Sequence, residues 1–71
     1  MANQELRAAL AGRMRVLRAQ RALSQEELAD RAHLHRTAIG LIEQGRRTPT
    51  LDTLKKIADG LEVTLAELVS F

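Results

Sequence analysis

Apolar residues recur every three or four positions along most of the chain, which is the spacing of amphipathic α-helices. The first stripe predicts a helix over about residues 4–21, with its core face at Leu6, Leu10, Met14 and Leu17. Good helix formers dominate the composition, and runs of β-branched residues are missing. We therefore predict an all-α fold.

Capping residues then mark the helices of the central segment. Ser24 and Glu27 have the spacing of a capping box, so a second helix should span about residues 25–32. A tight turn leads to a third helix at about residues 36–44, and Gly45 is placed to end it in a left-handed conformation. This segment is predicted to be a pair of short helices held at a fixed angle.

The last third of the chain predicts two more helices. Thr50 should cap a fourth helix over about residues 51–60, and Thr64 with Glu67 repeats the capping-box spacing for a fifth at about 65–70. The five helices make one predicted domain of residues 1–71. A chain this short buries only roughly 60% of its unfolded surface, so a second copy often supplies the missing burial.

Composition excludes several classes of protein. Without cysteine, the chain has no disulfide and no thiolate metal site, which suits a cytoplasmic protein. No apolar run approaches the roughly 20 residues that span a bilayer, and residues 1–5 lack the features of a signal peptide. We expect a cytoplasmic protein that does not enter the membrane.

Catalytic and metal-binding groups are equally sparse. The serines and the two histidines, His33 and His35, form no recognisable set of nucleophile, base and orienting group, and no glycine-rich phosphate loop is present. A metal site would need further ligands beside the histidines. We therefore predict that the chain is not an enzyme and needs no metal, cofactor or small-molecule ligand.

The charge balance is compatible with a polyanionic partner. The formal net charge is +2 and the isoelectric point about 9.9. Arginines crowd the first predicted helix, as an arginine-rich surface that would add affinity for such a partner, at Arg7, Arg13, Arg15, Arg18 and Arg21. Phe71 is the only aromatic residue, which argues against the stacking platforms that bind single strands or RNA loops.

Residues 24–45 carry the most informative pattern in the chain. In the third predicted helix, Ile39 and Ile42 should face inward, whereas a polar outer face begins with Arg36 and Thr37. Two short helices joined by a tight turn, with one outer face free, form a device that enters the DNA major groove. We predict a helix-turn-helix over about residues 24–45.

An ordered set of motifs resembles the phage-repressor or Cro-type (XRE) helix-turn-helix family. The matching segments are SQEELA at 24–29, Ile39, IEQG at 42–45, PTLDTL at 49–54 and LEV at 61–63. The resemblance implies a compact, five-helix, lambda-repressor-like domain that acts as a pair of subunits on a two-fold symmetric DNA site. The LHRTAI segment at 34–39 also looks like the controller proteins of restriction–modification systems.

Two positions depart from this family pattern. Similar sequences usually carry glycine where Ala22 and His33 stand, because both places often need a positive φ. Alanine is costly in that conformation, and histidine is tolerated somewhat better. We expect local strain or altered turns at these two positions, within an unchanged fold.

The outer face of the third helix supplies the candidate base contacts. Arg36 could donate two hydrogen bonds to guanine, and Thr37 could contact a base edge or a thymine methyl group. Leu41 could cover a thymine methyl group. The alternatives are a solvated first turn for Arg36 and Thr37, and packing at the rim of the core for Leu41.

Other polar residues are candidates for the DNA backbone or for the fold. Phosphate contacts are predicted for Ser24 and Gln25, at the start of the second helix, and for Arg46 and Arg47, in the loop after the third. The alternative for Ser24 is capping alone. For the two arginines the alternatives are a contact with the minor groove or a flanking base, or plain solvation. The family resemblance implies a partly buried ion pair between Arg18 and Glu43, with a structural role.

Apolar residues near the end of the chain exceed what one thin core needs. The surplus predicts a subunit interface, drawn from Leu61, Val63, Leu65, Leu68, Val69 and Phe71. The alternative is that all of them close the core of a monomer.

Together these features predict a sequence-specific regulator of transcription that binds double-stranded DNA as a homodimer on a partly palindromic operator. It would act by blocking RNA polymerase or by contacting and recruiting it, with control of restriction–modification genes as the leading specific version. The alternative is an antitoxin or another protein-binding module that uses the same fold.

Overall fold

The computed structural model describes residues 3–71, which form five α-helices. In chain order these are α1 (Asn3–Gln20), α2 (Gln25–Ala32), α3 (Arg36–Glu43), α4 (Leu51–Gly60) and α5 (Leu65–Leu68). The described part of the chain contains no strand, so the all-α prediction is confirmed. The last helix is shorter than predicted, because Val69 has already left helical geometry at φ −98° and ψ 20°.

Side-chain caps begin three of the helices, as the sequence pattern predicts. At α2, the Glu27 N–H donates to Ser24 Oγ at 3.0 Å, and the Ser24 N–H donates to Glu27 Oε1 at 2.9 Å. Thr64 and Glu67 form the same reciprocal pair at α5, at 3.0 Å for both bonds. Both capping boxes are therefore confirmed, and Thr50 caps α4 by accepting from the Thr53 N–H.

Three residues other than glycine adopt a left-handed backbone at helix ends. Ala22 has a φ of 54° and His33 a φ of 56°, so of the two outcomes expected at these positions the structure has the left-handed backbone and not an altered turn. Glu62, at 59°, was not foreseen. All three belong to the same type of helix ending, in which two successive N–H groups bond back to the last turn of the helix.

The core lies where α1 to α5 meet, and it corrects three sequence-based assignments. Leu61 and Leu68 have no exposed surface, so their predicted place in a subunit interface is wrong; both close the core of this chain. Leu6 is 43% exposed rather than buried, whereas the next members of its stripe, Leu10 and Met14, are in the core. The largest fully buried side chains are Met14, Leu28, Ile39, Ile42, Ile57, Leu61 and Leu68.

The arginines of α1 mostly join helices to one another. Arg7 donates from Nε to the Gly45 carbonyl at 3.1 Å, and Arg13 donates from Nε and Nη2 to the Glu67 carbonyl at 3.0 and 2.9 Å. Glu67 lies in the last turn of α5 and Gly45 lies two residues after α3, so both carbonyls are near the negative end of a helix dipole. Much of the arginine-rich surface expected to add affinity for DNA is thus already engaged within the protein.

Within residues 3–71, α1 is the longest helix, and neither it nor any other is long and apolar enough to cross a membrane.

Candidate nucleic-acid interface

α3 presents two different faces. Its inner face is anchored in the core by Ile39 and Ile42, which are fully buried. Its outer face carries Arg36 and Thr37 at exposed positions, and Gln44, which caps the end of the helix, is exposed as well. The helix is therefore fixed from one side and leaves a polar face open on the other.

Several of the predicted DNA-contacting residues lie around one shallow depression on this outer side. The depression, called the α3 face from here on, is lined by Gln25, Arg36, Thr37, Gly40, Leu41, Gln44 and Arg46. Residues of α2, of α3 and of the following loop thus share one surface, although the chain separates them by up to 21 positions. Ser24 and Arg47, which were also predicted to contact DNA, do not line it.

A buried ion pair holds α3 against α1. Arg18 donates from Nε and Nη2 to the two carboxylate oxygens of Glu43, each at 2.9 Å, and the Glu43 side chain is 2% exposed. Hydrogen bonding to Glu43 raises the pKa of Arg18 above its ordinary value. Arg18 also donates to the Leu23 carbonyl, and Arg15 donates to the Glu43 carbonyl. The pair implied by the family resemblance is present, with a geometry that fixes the end of α3.

Gln25 extends this network to α2. Its Nε2 donates to Glu43 Oε1 at 3.2 Å. Its Oε1 points towards α3, where it lies 3.9 Å from the place that a Cβ atom would take on Gly40. Gln25 is half-buried, so it braces the two helices while part of its side chain still reaches the α3 face.

Arg36 projects from the first turn of α3 and is paired with a residue that sequence reasoning missed. Its Nη1 lies 3.1 Å from Oε1 of Glu26, and the two side chains are 66% and 70% exposed. Glu26 is the second residue of α2, and ten positions separate it from Arg36. The opposite charges were visible in the sequence, but only the angle between the helices brings them together.

Ser24 is largely occupied by its capping role. Its Oγ accepts from Glu27, and its own N–H donates to the Glu27 carboxylate. Hydrogen bonding by this N–H, and then by the Ser24 side chain, lowers the pKa of Glu27. The N–H groups of Gln25 and Glu26 precede the first intrahelical hydrogen bond, from Leu28 to Ser24, so an anion at this end would meet them first.

The loop after α3 is open and basic. Arg46 and Arg47 are both exposed, and Arg46 Nη1 lies 3.4 Å from Gln44 Oε1. Leu41 is half-buried, between the core and the α3 face. Among the described residues, no group of three or more histidine and carboxylate side chains is placed to hold a metal ion.

A family model described as helix-turn-helix, HTH_3, matches residues 14–68. The chain belongs to this helix-turn-helix family. The matched segment contains α2, α3 and the whole α3 face. The family recognised from sequence motifs is thereby confirmed.

Two curated relatives and one solved structure illustrate the likeness. A hypothetical transcription factor of Neisseria meningitidis is 39% identical over 66 residues, covering 93% of this chain and 62% of that protein. Control protein C.BamHI of Bacillus amyloliquefaciens is 45% identical over 49 residues, covering 69% of this chain and 60% of that protein. The chain thus spans somewhat less than two thirds of the length of either relative.

The solved structure is that of the restriction–modification controller protein C.AhdI from Aeromonas hydrophila. It superposes with a TM-score of 0.85 at 35% identity and covers 87% of this chain and 94% of that one. The five-helix arrangement is therefore shared over nearly the full length of that controller protein.

Proposed function

We propose that this protein is a sequence-specific, double-stranded DNA-binding regulator of transcription, and that α3 enters the major groove. The observation that carries the proposal is that α3 is anchored on one side and exposed on the other. Ile39 and the Arg18–Glu43 pair anchor one side of the helix, while Arg36 and Thr37 are exposed on the other. A rigid rod with an exposed polar face is what readout of base edges requires.

Each side chain of the α3 face then has a distinct role. Arg36 donates to O6 and N7 of guanine, which is the most discriminating common contact in the major groove. Thr37 contacts the neighbouring base, and Leu41 covers a thymine methyl group at the edge of the depression. Base contacts of this kind supply sequence preference rather than most of the affinity.

Phosphate contacts flank the helix. Gln25 and the first N–H groups of α2 meet one DNA backbone, with the Ser24 hydroxyl beside them. Arg46 and Arg47 meet the backbone on the other side, because they lie in the exposed loop shortly after the end of α3. These groups position α3 in the groove without reading the sequence.

A homodimer completes the proposed regulator. A groove between the start of α1, the 48–49 loop segment and the end of the chain is mostly apolar, with Leu6, Val69 and Phe71 at its surface. Burying these residues against a second copy would remove an apolar patch from water. Two copies would read half-sites about 34 Å apart on a partly palindromic operator.

Control of restriction–modification genes is the specific version of this function that we favour. The controller protein C.AhdI shares the fold along nearly its whole length, and control protein C.BamHI is among the curated relatives. Occupancy of a promoter would block RNA polymerase, or contact with the enzyme would recruit it. Neighbouring genes for a restriction endonuclease and its methyltransferase would support this version.

Selection of bound sites from random duplexes, at a stated salt concentration, tests the proposal directly. A recurrent two-fold symmetric site is expected. Arg36→Ala should then lose about 1–3 kcal/mol on the selected site and relax one base position in each half. Arg31→Ala, which removes an exposed arginine from α2, is the matched control and should leave the preference unchanged. If Arg36→Ala weakened binding to the selected site and to random DNA by the same factor, Arg36 would contact a phosphate instead.

The dimer is tested separately by sedimentation equilibrium. Phe71→Asp should shift the equilibrium towards monomer, because Phe71 is 49% exposed in the apolar groove. Val16→Asp changes another exposed apolar residue, outside the groove, and serves as the control. A wild-type chain that stays monomeric at high concentration would remove the homodimer from the proposal.

A further inference from the structure

We propose that Glu26 is a positioning residue that makes Arg36 favour a guanine over a phosphate, and thereby sets how far the protein discriminates between DNA sequences. The inference rests on the proposed function. It starts from the ion pair between the second residue of α2 and the first residue of α3, in which Arg36 Nη1 lies 3.1 Å from Glu26 Oε1.

The pair leaves most of the Arg36 guanidinium available. A guanidinium carries five N–H donors, and only Nη1 contacts Glu26. Nη2 and Nε remain for a second partner, and guanine needs only two parallel hydrogen bonds. Glu26 and a guanine can therefore hold Arg36 at the same time, with the carboxylate limiting the rotation of a long and otherwise mobile side chain.

The negative charge of Glu26 affects the two possible DNA partners of Arg36, a guanine and a phosphate, differently. O6 and N7 of guanine are neutral acceptors, so they can approach a guanidinium that is already paired with a carboxylate. A phosphate that took the same donors would bring its negative charge close to Glu26, and like charges at close range repel. The carboxylate therefore opposes the use of Arg36 as a general phosphate anchor.

The Arg36 and Glu26 side chains are exposed, so bound DNA could contact both of them. Both side chains are about two-thirds exposed, so the pair contributes little to folding and can be altered without disturbing the core. Arg36 lines the α3 face, which places the pair at the edge of the proposed interface. Glu26 thus lowers the affinity for DNA of any sequence, where Arg36 would meet a phosphate. It has little effect on the affinity for the correct site, where Arg36 meets a guanine.

The test compares two duplexes of equal length at one salt concentration, the site selected from random DNA and a scrambled version. Glu26→Gln keeps the shape and an acceptor oxygen but removes the charge. We expect it to strengthen binding to the scrambled duplex by roughly three- to fivefold, the upper range for an exposed ion pair, and to change the selected site much less. The specificity ratio should fall by the same factor.

Two controls separate positioning from simple charge. Asp30→Asn removes the same charge one turn further along α2, and it should change both duplexes by a common factor. In an Arg36→Ala background, Glu26→Gln should no longer alter the specificity ratio. If Glu26→Gln also changed the binding of both duplexes by a common factor, as Asp30→Asn should, the inference would be overturned and the proposed function would stay intact. Failure of the wild-type chain to bind any duplex would overturn both.

Discussion

Arg18 and Glu43 are joined by two parallel hydrogen bonds, and Gln25 donates a third to the same carboxylate. The carboxylate is almost completely buried, so its charge is compensated by donors from α1 and α2 rather than by water. Because Glu43 is the last residue of α3, this one group ties three helices together. The orientation of the α3 face depends on it.

Removal of Arg18 should therefore be among the most damaging single changes. Arg18→Ala leaves the Glu43 carboxylate buried without its main partner, which costs about 3–5 kcal/mol. The free energy of unfolding in urea measures the loss. Lys55→Ala, which breaks the exposed pair of Lys55 and Asp59, is the control and should cost less than about 1 kcal/mol.

A double variant separates the charge from the packing. Arg18→Met with Glu43→Leu removes both charges together, so it should regain much of the stability lost in Arg18→Ala. Similar losses for Arg18→Ala and Lys55→Ala would show that burial of the carboxylate does not matter.

The left-handed residues at helix ends offer a stabilising change. Ala22 has a φ of 54°, where an alanine side chain costs about 1–2 kcal/mol, so Ala22→Gly should raise the stability by about 1 kcal/mol. Thermal unfolding would show this as a rise in Tm of about 4–8 °C. Gly45→Ala, at a φ of 70°, should have the opposite sign. A fall in Tm for Ala22→Gly would show that the alanine side chain does not destabilise this turn.

Features that depend on nearby residues could be predicted from the sequence. The two capping boxes join residues three positions apart, so the Ser24–Glu27 and Thr64–Glu67 spacings already contained the whole interaction. At Ala22 the family resemblance indicated a glycine position, and so either strain or an altered turn; the φ of 54° corresponds to the first. The start of α2 at Gln25 followed from the Ser24–Glu27 capping box.

Features that depend on how the helices pack could not be predicted in the same way. An apolar stripe shows that a face is buried, but not which partner buries it, so Leu61 and Leu68 were assigned to an interface although they close the core. The same uncertainty placed Leu6 inside. The Arg36–Glu26 contact joins two helices across the turn, and its geometry exists only after α2 and α3 have packed.

Glycines inside helices should respond to alanine according to their neighbours. A Cβ on Gly40 would lie 3.9 Å from Gln25 Oε1, which is an ordinary contact, so Gly40→Ala should stabilise the free protein by about 1 kcal/mol. Gly60→Ala should destabilise it by about 1–3 kcal/mol, since the new atom would lie 3.1 Å from Leu28 Cδ1 and 3.3 Å from the Ala32 backbone nitrogen. Urea unfolding measures the change in the free energy of unfolding for both variants. Changes of the same sign would contradict the prediction.

The loop arginines should determine much of the salt dependence of binding. If Arg46 and Arg47 each neutralise one phosphate, replacing both by alanine reduces the slope of log K against log salt by up to about 1.8 per subunit. Titrations of one duplex at several salt concentrations measure the slope. Lys55→Ala with Lys56→Ala removes two exposed charges from α4 and is the matched control. A slope unchanged by the arginine replacements would take the loop out of the interface.

Acid should weaken the fold through the two capping boxes. The Ser24 N–H, followed by its hydroxyl, lowers the pKa of Glu27, and Thr64 acts in the same way on Glu67. Since both pKa values are lower in the folded state, the stabilisation is present above about pH 4.3, the ordinary glutamate pKa, and is lost as the pH falls through the folded values. Glu27→Gln with Glu67→Gln keeps a capping oxygen but does not titrate. Its free energy of unfolding in urea should therefore fall less steeply between about pH 5 and pH 3 than that of the wild type, and parallel curves would contradict the assignment.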